Sequence, residues 1–547
     1  MIVVGSGASG GWVAKELTEK GIDVLMLEAG PPRVPTRDFT EHIWPYQLKY
    51  RGFGNQKKLL ENQPVQRLCY ACDDYSHQFF VNDNEHPYTF PPDKPFMWIR
   101  GRQVGGKTFC WARVSYRYSD FEFKARSRDG YGEDWPFSYQ DLEPYYDRVE
   151  TFIGVSGSAE GLPQLPDSKF LPPMRLSCGE LAAQEIIQKK FGWKLIVDRT
   201  ANLTVTHNGR PACHYCDECQ RGCFTASYFN SPSVTLPAAA RTGHFQLVSD
   251  AVVSHLLMNA EGQADGVAFI DRNTRAAREV RAKVVVLAAS ALESTRILLH
   301  SRVGNPDVLG HYLMDHTTLE EGGGVMPALV SSKREPVGRP CGYIIPKYMN
   351  TSARFQNKNF LRGYYFAGDG RQELYGHAFS TPGFGREWRE KVRDHIPYSF
   401  SVYAQGECLP RHDNYVALDP EKKDAWGIPA LHIHASYGEN ELAMAKAMRD
   451  HLGEIMDELK LEDRQPPRDE LNIFGKNIHE CGTARMGHNP KTSVLNAYNQ
   501  VHGVKNLFVT DGACFVTQGC SEPTLTIMAI SVRAADYISE EFRKGNL

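Results

Sequence analysis

Ten residues near the start, IVVGSGASGG (2–11), constrain the fold most. An apolar triplet runs into Gly5, Gly7 and Gly10, spaced as GxGxxG. Val13, Ala14 and Leu17 then continue one apolar helical face as far as Gly21. The pattern reads as strand, tight turn and helix. Gly5 permits the turn, Gly7 lets a pyrophosphate approach the backbone, and Gly10 lets helix and strand pack closely. The helix start offers amide groups and the positive end of its dipole to the phosphates. IDVLMLEAG follows as a second buried strand with Glu28 at its tip. That acid stands about twenty residues past the glycines, where a ribose hydroxyl is bound. The strand and helix on either side disfavour the alternative, a glycine turn with no ligand. The expected fold class is α/β, with a Rossmann-like nucleotide-binding domain.

GxGxxG alone does not choose between NAD and FAD; the far end of the chain helps. NLFVTDGACFVTQGCSEPTLTIMAISVRAADYI reads as a buried strand, an Asp511-Gly512 turn, a loop and an amphipathic helix opening near Pro523. A strand ending in Asp511 can bring a carboxylate to a polyol chain. The next helix start, at Thr524, can stabilise negative charge developing on a reduced isoalloxazine ring. Holding the ribityl chain and flavin so far from the glycine turn in sequence suits FAD better than NAD.

The stretch CHYCDECQRGC (213–223) holds four of the thirteen cysteines. Disulfide frameworks belong mainly to short secreted chains, whereas 547 residues bury an ample core. Structural zinc sites usually pair two CxxC motifs a dozen or more residues apart. Here Cys213-x2-Cys216-x2-Cys219-x3-Cys223 has the compact spacing of bacterial ferredoxins. Two departures matter: Phe224 stands where ferredoxins have proline, and there is only one such run. Either Cys223 closes the same cluster or one iron position stays open, giving 4Fe-4S or 3Fe-4S. Iron–sulfur is favoured over zinc; a zinc-clamped or thiol-bearing surface loop is the alternative. Cys69 and Cys72 form a CxxC without a companion pair, which carries little for metal.

Composition removes other classes. A net charge of −3, with 41% apolar and 23% charged residues, fits a soluble globular protein and leaves no basic footprint for nucleic acid. No apolar stretch approaches a membrane span, and the first residues read as folded core rather than as a secretory signal.

Four further segments follow the glycine turn in order: GRQVGGKTFCWARVSYR (101–117), VVVLAASALESTRILLHS (284–301) followed by LGHYLMDH, NIHECGTARMG, and the C-terminal strand and helix. With these the sequence resembles the glucose-methanol-choline (GMC) flavoprotein oxidoreductases over nearly the whole chain. DWPFSYQDLEPYYDRVETFIGVSG and ECLPRHDNYVALDPEKKDAWGIPALHI are similar to the family's bacterial sugar dehydrogenases. Some of these, glucoside 3-dehydrogenases among them, carry an iron–sulfur cluster and pass electrons to a small partner subunit and a cytochrome c.

The resemblance implies non-covalent FAD, with Gly5, Gly7, Gly10, Glu28, Arg102, Gly105, Gly106, Asp511, Gly512 and Thr524 as its binding residues. It implies a sugar or glucoside oxidised at a secondary hydroxyl, C3 favoured, by hydride transfer to flavin N5. Electrons would leave through a cluster on Cys213, Cys216, Cys219 and Cys223 to a companion subunit and a cytochrome c-type acceptor. An exported companion would carry the enzyme to the periplasm; a cytoplasmic location is the alternative. The rival functions are a sugar oxidase using O2, with a structural or zinc loop, and a lyase of the same fold with no net redox change.

His479, in N-x-H-x-x-G-T, matches the family's catalytic histidine, the general base for the hydroxyl proton. At the second catalytic position Glu522 replaces the family's histidine or asparagine. A carboxylate there can bond His479 or a sugar hydroxyl and raise the histidine's pKa. Equally, it can cap the helix and point away. Cys110 reads as a small buried residue against the flavin ring, and His316 as structural. Gln405, Arg411, His412 and Asn414 are sugar-site candidates or surface and sheet-edge residues. Segments 1–125, 200–320 and 470–547 are expected to build the FAD domain. Segments 130–200 and 320–465 are expected to build an interleaved α+β substrate domain, an antiparallel sheet with helices over one face. GLPQLPDSKFLPPM reads as a linker or partner-facing loop, and SPSVTLPAAARTG as a helix.

Overall fold

The computed structural model describes residues 1–44, 47, 55–329, 338–372, 377, 378, 380–394 and 396–547. Its centre is a five-stranded parallel sheet. Leu507–Val509, Val285–Leu287, Ile2–Val4, Val24–Leu27 and Phe245–Val248 lie side by side in that order. The three strands from Leu507–Val509 to Ile2–Val4 are buried throughout, which is why they read as unbroken apolar runs. The first helix, Ala8–Glu19, packs on the C-terminal helix, Thr524–Arg543. Val13, Leu17 and Ile538 close on Val3, Val286 and Phe508 beneath them. From Ile2–Val4 the chain builds outward to one edge, then returns to the other side at Val285–Leu287. The glycine turn therefore sits where the strand order reverses, the place where open parallel sheets hold ligands.

The second layer is an antiparallel sheet in the order Glu462–Gln465, Thr317–Val325, Tyr398–Gly406, Tyr364–Gly368, Tyr343–Ile345 and Ile196–Val197. Gly370–Gln372 also pairs with Tyr398–Gly406. Side chains alternate between its faces. Leu319, Tyr364, Phe366, Val402 and Ala404 point to one face, where the helices Cys178–Phe191 and Glu439–Glu458 cover them. Thr318, Tyr365, Tyr403 and Gln405 occupy the other face, and register places Tyr365 opposite Gln405 and Gln405 opposite Thr318.

Two segments assigned to the substrate domain pack elsewhere. Helix Tyr139–Ile153 buries Leu142, Tyr146 and Val149 in the core of the parallel sheet, and Tyr146 Oη lies 2.7 Å from Thr526 Oγ1. The ribbon Tyr415–Lys423/Pro429–His434 packs Val416, Leu431 and Ile433 against Leu292 of helix Ala291–Ser301. The Pro-rich stretch is tied down: Arg199 donates to Pro166 O at 2.7 Å and to Asp167 Oδ1 at 2.8 Å. Thr235–Arg241 is a helix, as its sequence implies. None of the thirteen cysteines is in a disulfide. Among the described residues no helix is long and apolar enough to cross a membrane.

Candidate functional site

The carboxyl ends of the parallel strands open into a cavity of about 1080 Å³. Val4, Leu27, Ala288 and Asp511 mark its floor, and Thr318, Tyr403 and Gln405 of the antiparallel sheet roof its far end. Two helix starts face it, at Gly7 and at Pro523, and neither has a side-chain cap. Their amide groups are therefore free for an anion or a charged ring.

The glycines divide by role. A Cβ on Gly5 would lie 2.3 Å from Ala288 O, and one on Gly10 would lie 1.9 Å from Gly5 O, so both exist for close packing. At Gly7 the nearest atom would be 4.0 Å away, and Gly7 lines the cavity. Gly105 has φ 98° and donates its N–H to Ser6 Oγ at 2.8 Å, supporting the turn from behind; Gly106 lines the cavity. Glu28 accepts from Ser6 Oγ at 2.5 Å and from Gly30 N at 2.9 Å, and burial pushes its carboxyl up. Asp511 accepts from Ser294 Oγ at 2.5 Å and Ala513 N at 3.0 Å, and burial takes it up to about 6. Gly512 and Thr524 line the same wall. Arg102 reaches the cavity, but its guanidinium donates to Glu293 at 2.8 Å and meets His86 Nδ1 at 3.1 Å. Cys110 lines the cavity as a buried thiol pushed up to about 12 by burial. A glycine turn open to backbone approach at Gly7, an acid at the second strand and two uncapped helix starts fit an FAD molecule.

His479 opens into this cavity. Its loop is pinned by Asp315, whose Oδ1 accepts from His479 N and whose Oδ2 accepts from Asn477 N, both at 3.2 Å. Gln518 Nε2 donates to His479 O at 2.7 Å. Burial, and then Lys107, lower the His479 pKa to about 3, so the ring is neutral at ordinary pH. Of the two alternatives for Glu522, raising the His479 pKa is not what the structure shows: only burial and Lys107 act on the ring. Glu522 bonds elsewhere: its Oε1 accepts from Tyr365 Oη at 2.7 Å, and burial takes its carboxyl up to about 7. It lines the cavity and does not cap the following helix. His316, read as structural, stands behind His479 with its Nδ1 2.9 Å from His479 Nδ1. Asp315, His316 and His479 could suggest a metal site. Two nitrogens on one zinc ion lie roughly 3.3 Å apart, so the shorter contact here is a hydrogen bond.

Of the four sugar-site candidates only Gln405 lines the cavity. Arg411 and Asn414 tie their loop to Ser436, and His412 stacks on His311 at 3.9 Å. Tyr403 and Asp198 complete the polar end, with Tyr365 behind Glu522, and none of the three is a candidate from sequence. The alternation in YYFAG and SVYAQG marks the two tyrosines; nothing local marks Asp198.

Cys219 and Cys223 are buried against Tyr228, whose Oη donates to Phe109 O at 2.5 Å, next to Cys110 of the cavity wall. Cys213 and Cys216 are partly exposed. Three of the sulfurs already face donors: Tyr215 N at 3.4 Å from Cys213, Asn202 Nδ2 at 3.9 Å from Cys219 and Ser227 N at 3.3 Å from Cys223. One zinc ion would draw thiolates to roughly 3.8 Å from one another. Among the described residues no three thiols come within 4.8 Å. Cys216 instead groups with Glu41 and His214.

Comparison with known proteins agrees with this geometry. Family profiles described as GMC oxidoreductase match residues 2–318 and 410–531. The 2-methyl-1,2-propanediol dehydrogenase of Mycolicibacterium austroafricanum is 30% identical, covering 99% of this chain and 95% of its own. The fructose dehydrogenase large subunit of Gluconobacter japonicus is 27% identical, covering 100% and 98%. Formate oxidase of Aspergillus oryzae, studied for FAD modification, shares the fold at a TM-score of 0.65 and 15% identity, covering 99% and 98%. The matching family is one of FAD-binding enzymes. The chain belongs to the GMC oxidoreductase family.

Proposed function

We propose that the chain is an FAD-dependent dehydrogenase of a sugar or glucoside, acting on a secondary hydroxyl, with C3 favoured. One observation carries this reading: a single cavity joins the glycine cradle to His479 and to a polar end formed by Tyr403 and Gln405 of the antiparallel sheet together with Asp198 and Glu522. Hydroxyl and carboxyl groups at one closed end suit a polyol, whose hydroxyls both donate and accept. FAD, held non-covalently by the residues above, would supply the acceptor for the hydride leaving the carbinol carbon. His479, neutral and backbone-pinned, takes the hydroxyl proton. Glu522 and Tyr365 orient a neighbouring hydroxyl. A cluster on Cys213, Cys216, Cys219 and Cys223 would supply single-electron transfer toward a protein acceptor, a companion subunit and then a cytochrome c. The relative named as a large subunit supports a companion. Export with that companion would place the enzyme in the periplasm.

The test is anaerobic mixing of holoenzyme with D-fructose, D-gluconate, D-glucose and methyl glucosides while flavin absorbance is followed. His479→Ala is expected to retain FAD and reduce flavin slower by roughly 10²-fold or more. Near-normal reduction would remove His479 from the chemistry. A second reading, an oxidase with a zinc-bearing loop, is favoured by the Glu41–His214–Cys216 group. Oxygen consumption matching sugar oxidation, with zinc in place of iron, would select it.

A further inference from the structure

The contact between His316 and His479 decides which nitrogen of His479 can take a proton. Their Nδ1 atoms are 2.9 Å apart and their rings stand at 78°. Two imidazole nitrogens at that distance share one proton: one must donate and the other accept. The two tautomers are therefore linked. His316 is fully buried behind His479 and does not reach the cavity. Besides His479, the polar groups set against its ring are the carbonyls of Gly519 and Ser521, which favour a proton there. Its Nε2 is buried and makes no well-aligned hydrogen bond. Nδ1 is taken up by His479, so the proton that these backbone groups favour belongs on Nε2. With its proton on Nε2, His316 accepts at Nδ1, so His479 donates from Nδ1 and keeps Nε2 bare. The His316 backbone is held too: Tyr437 Oη and Asn477 Nδ2 donate to its carbonyl at 2.9 and 2.5 Å.

We propose that His316 is a positioning residue that holds His479 in the tautomer whose Nε2 is free to accept the substrate proton. It rests on His479 being the proton acceptor. The arrangement does the work a carboxylate does behind a catalytic histidine, using a neutral ring. It also answers the difficulty of His479's surroundings. Burial and Lys107 oppose a charge on the ring. Once His479 has taken a proton, its N–H to His316 becomes a charge-assisted hydrogen bond, which strengthens as the proton arrives.

The test uses 15N-histidine-labelled holoenzyme and two variants, His316→Leu and His316→Asn. Asn can offer Oδ1 where the imidazole offers Nδ1. In the wild type, the His479 signals, identified by their loss in His479→Ala, are expected to show a protonated Nδ1 and a bare Nε2. A protonated Nε2 in the wild type overturns the proposal. With the sugar that reduces the wild-type flavin fastest, His316→Leu is expected to slow reduction roughly 10- to 100-fold while its substrate dissociation constant stays put. His316→Asn should recover most of the rate. Equal rates for wild type and His316→Leu, with His479→Ala inactive, overturn this inference alone. Full activity of His479→Ala instead overturns the reading of the site beneath it. If His316→Leu loses FAD, the wild-type spectrum and His316→Asn still decide.

Discussion

Glu522 puts a carboxyl in a place where water cannot reach it easily. It is 7% exposed, Tyr365 donates to one oxygen, and the other makes no well-aligned hydrogen bond, with Gln405 nearby. Burial takes it up to about 7 from its ordinary 4.5. A carboxyl raised in the folded state stabilises the fold while protonated, and that contribution is lost as pH rises through about 7. Glu522→Gln cannot ionise and keeps an oxygen for Tyr365. Its melting temperature relative to wild type should therefore climb between about pH 5 and about pH 8, by the equivalent of at most about 3 kcal/mol. A difference that stays flat across that range would show that the folded carboxyl ionises as an exposed one does. The same residue shows what sequence could and could not reveal. The SEPTLT motif placed Glu522 at the site, but its partner comes from a strand 157 residues away. His316 and His479 are 163 residues apart, and only the fold makes them a pair.

The elements legible beforehand are those whose signals are local. Strand, glycine turn and helix lie within residues 2–19, and Gly10's packing on Gly5 is local, whereas the clearance Gly5 gives Ala288 is not marked in the sequence. The duties separate experimentally. Gly10→Ala puts a Cβ 1.9 Å from a backbone oxygen that cannot move without breaking the turn. It should lower the melting temperature of the apoprotein as well as abolish FAD binding. Gly7→Ala meets nothing nearer than 4.0 Å. It should leave apoprotein melting within a degree or so of wild type, roughly the effect of a tolerated surface change. FAD affinity should fall, because the methyl group stands where the phosphates approach. Equal loss of stability in both variants would show that Gly7 also serves packing. The antiparallel sheet was legible only as a class. Its order depends on pairing Thr317–Val325 with Tyr398–Gly406 across about eighty residues, and no local pattern sets that pairing. For the same reason helix Tyr139–Ile153 falls in the segment expected to build the substrate domain, although its apolar stripe belongs to the parallel sheet's core.

Across the whole molecule the cysteine loop links the interior to the surface. Cys219 and Cys223 are buried on Tyr228, which bonds the backbone at Phe109 beside the cavity wall. On the outer side Tyr215 and Phe224 are exposed at 44% and 49%. In the proposed reading, the buried end would take electrons from the site and the exposed end would face a docked protein. Anaerobically purified protein is therefore expected to contain about three or four irons with matching sulfide per FAD. Cys219→Ser should remove iron and sulfide and abolish reduction of cytochrome c. Reduction of bound flavin by sugar in a single turnover should persist, because His479 and the glycine cradle lie on separate segments. If the variant loses sugar-driven flavin reduction while keeping FAD, the loop shapes the substrate site rather than carrying electrons away. If wild type holds zinc at Glu41, His214 and Cys216 and no iron, the electrons must leave through the cavity mouth, and oxygen becomes their acceptor. Metal content and a single-turnover trace together therefore separate a relay, a structural loop and an oxidase.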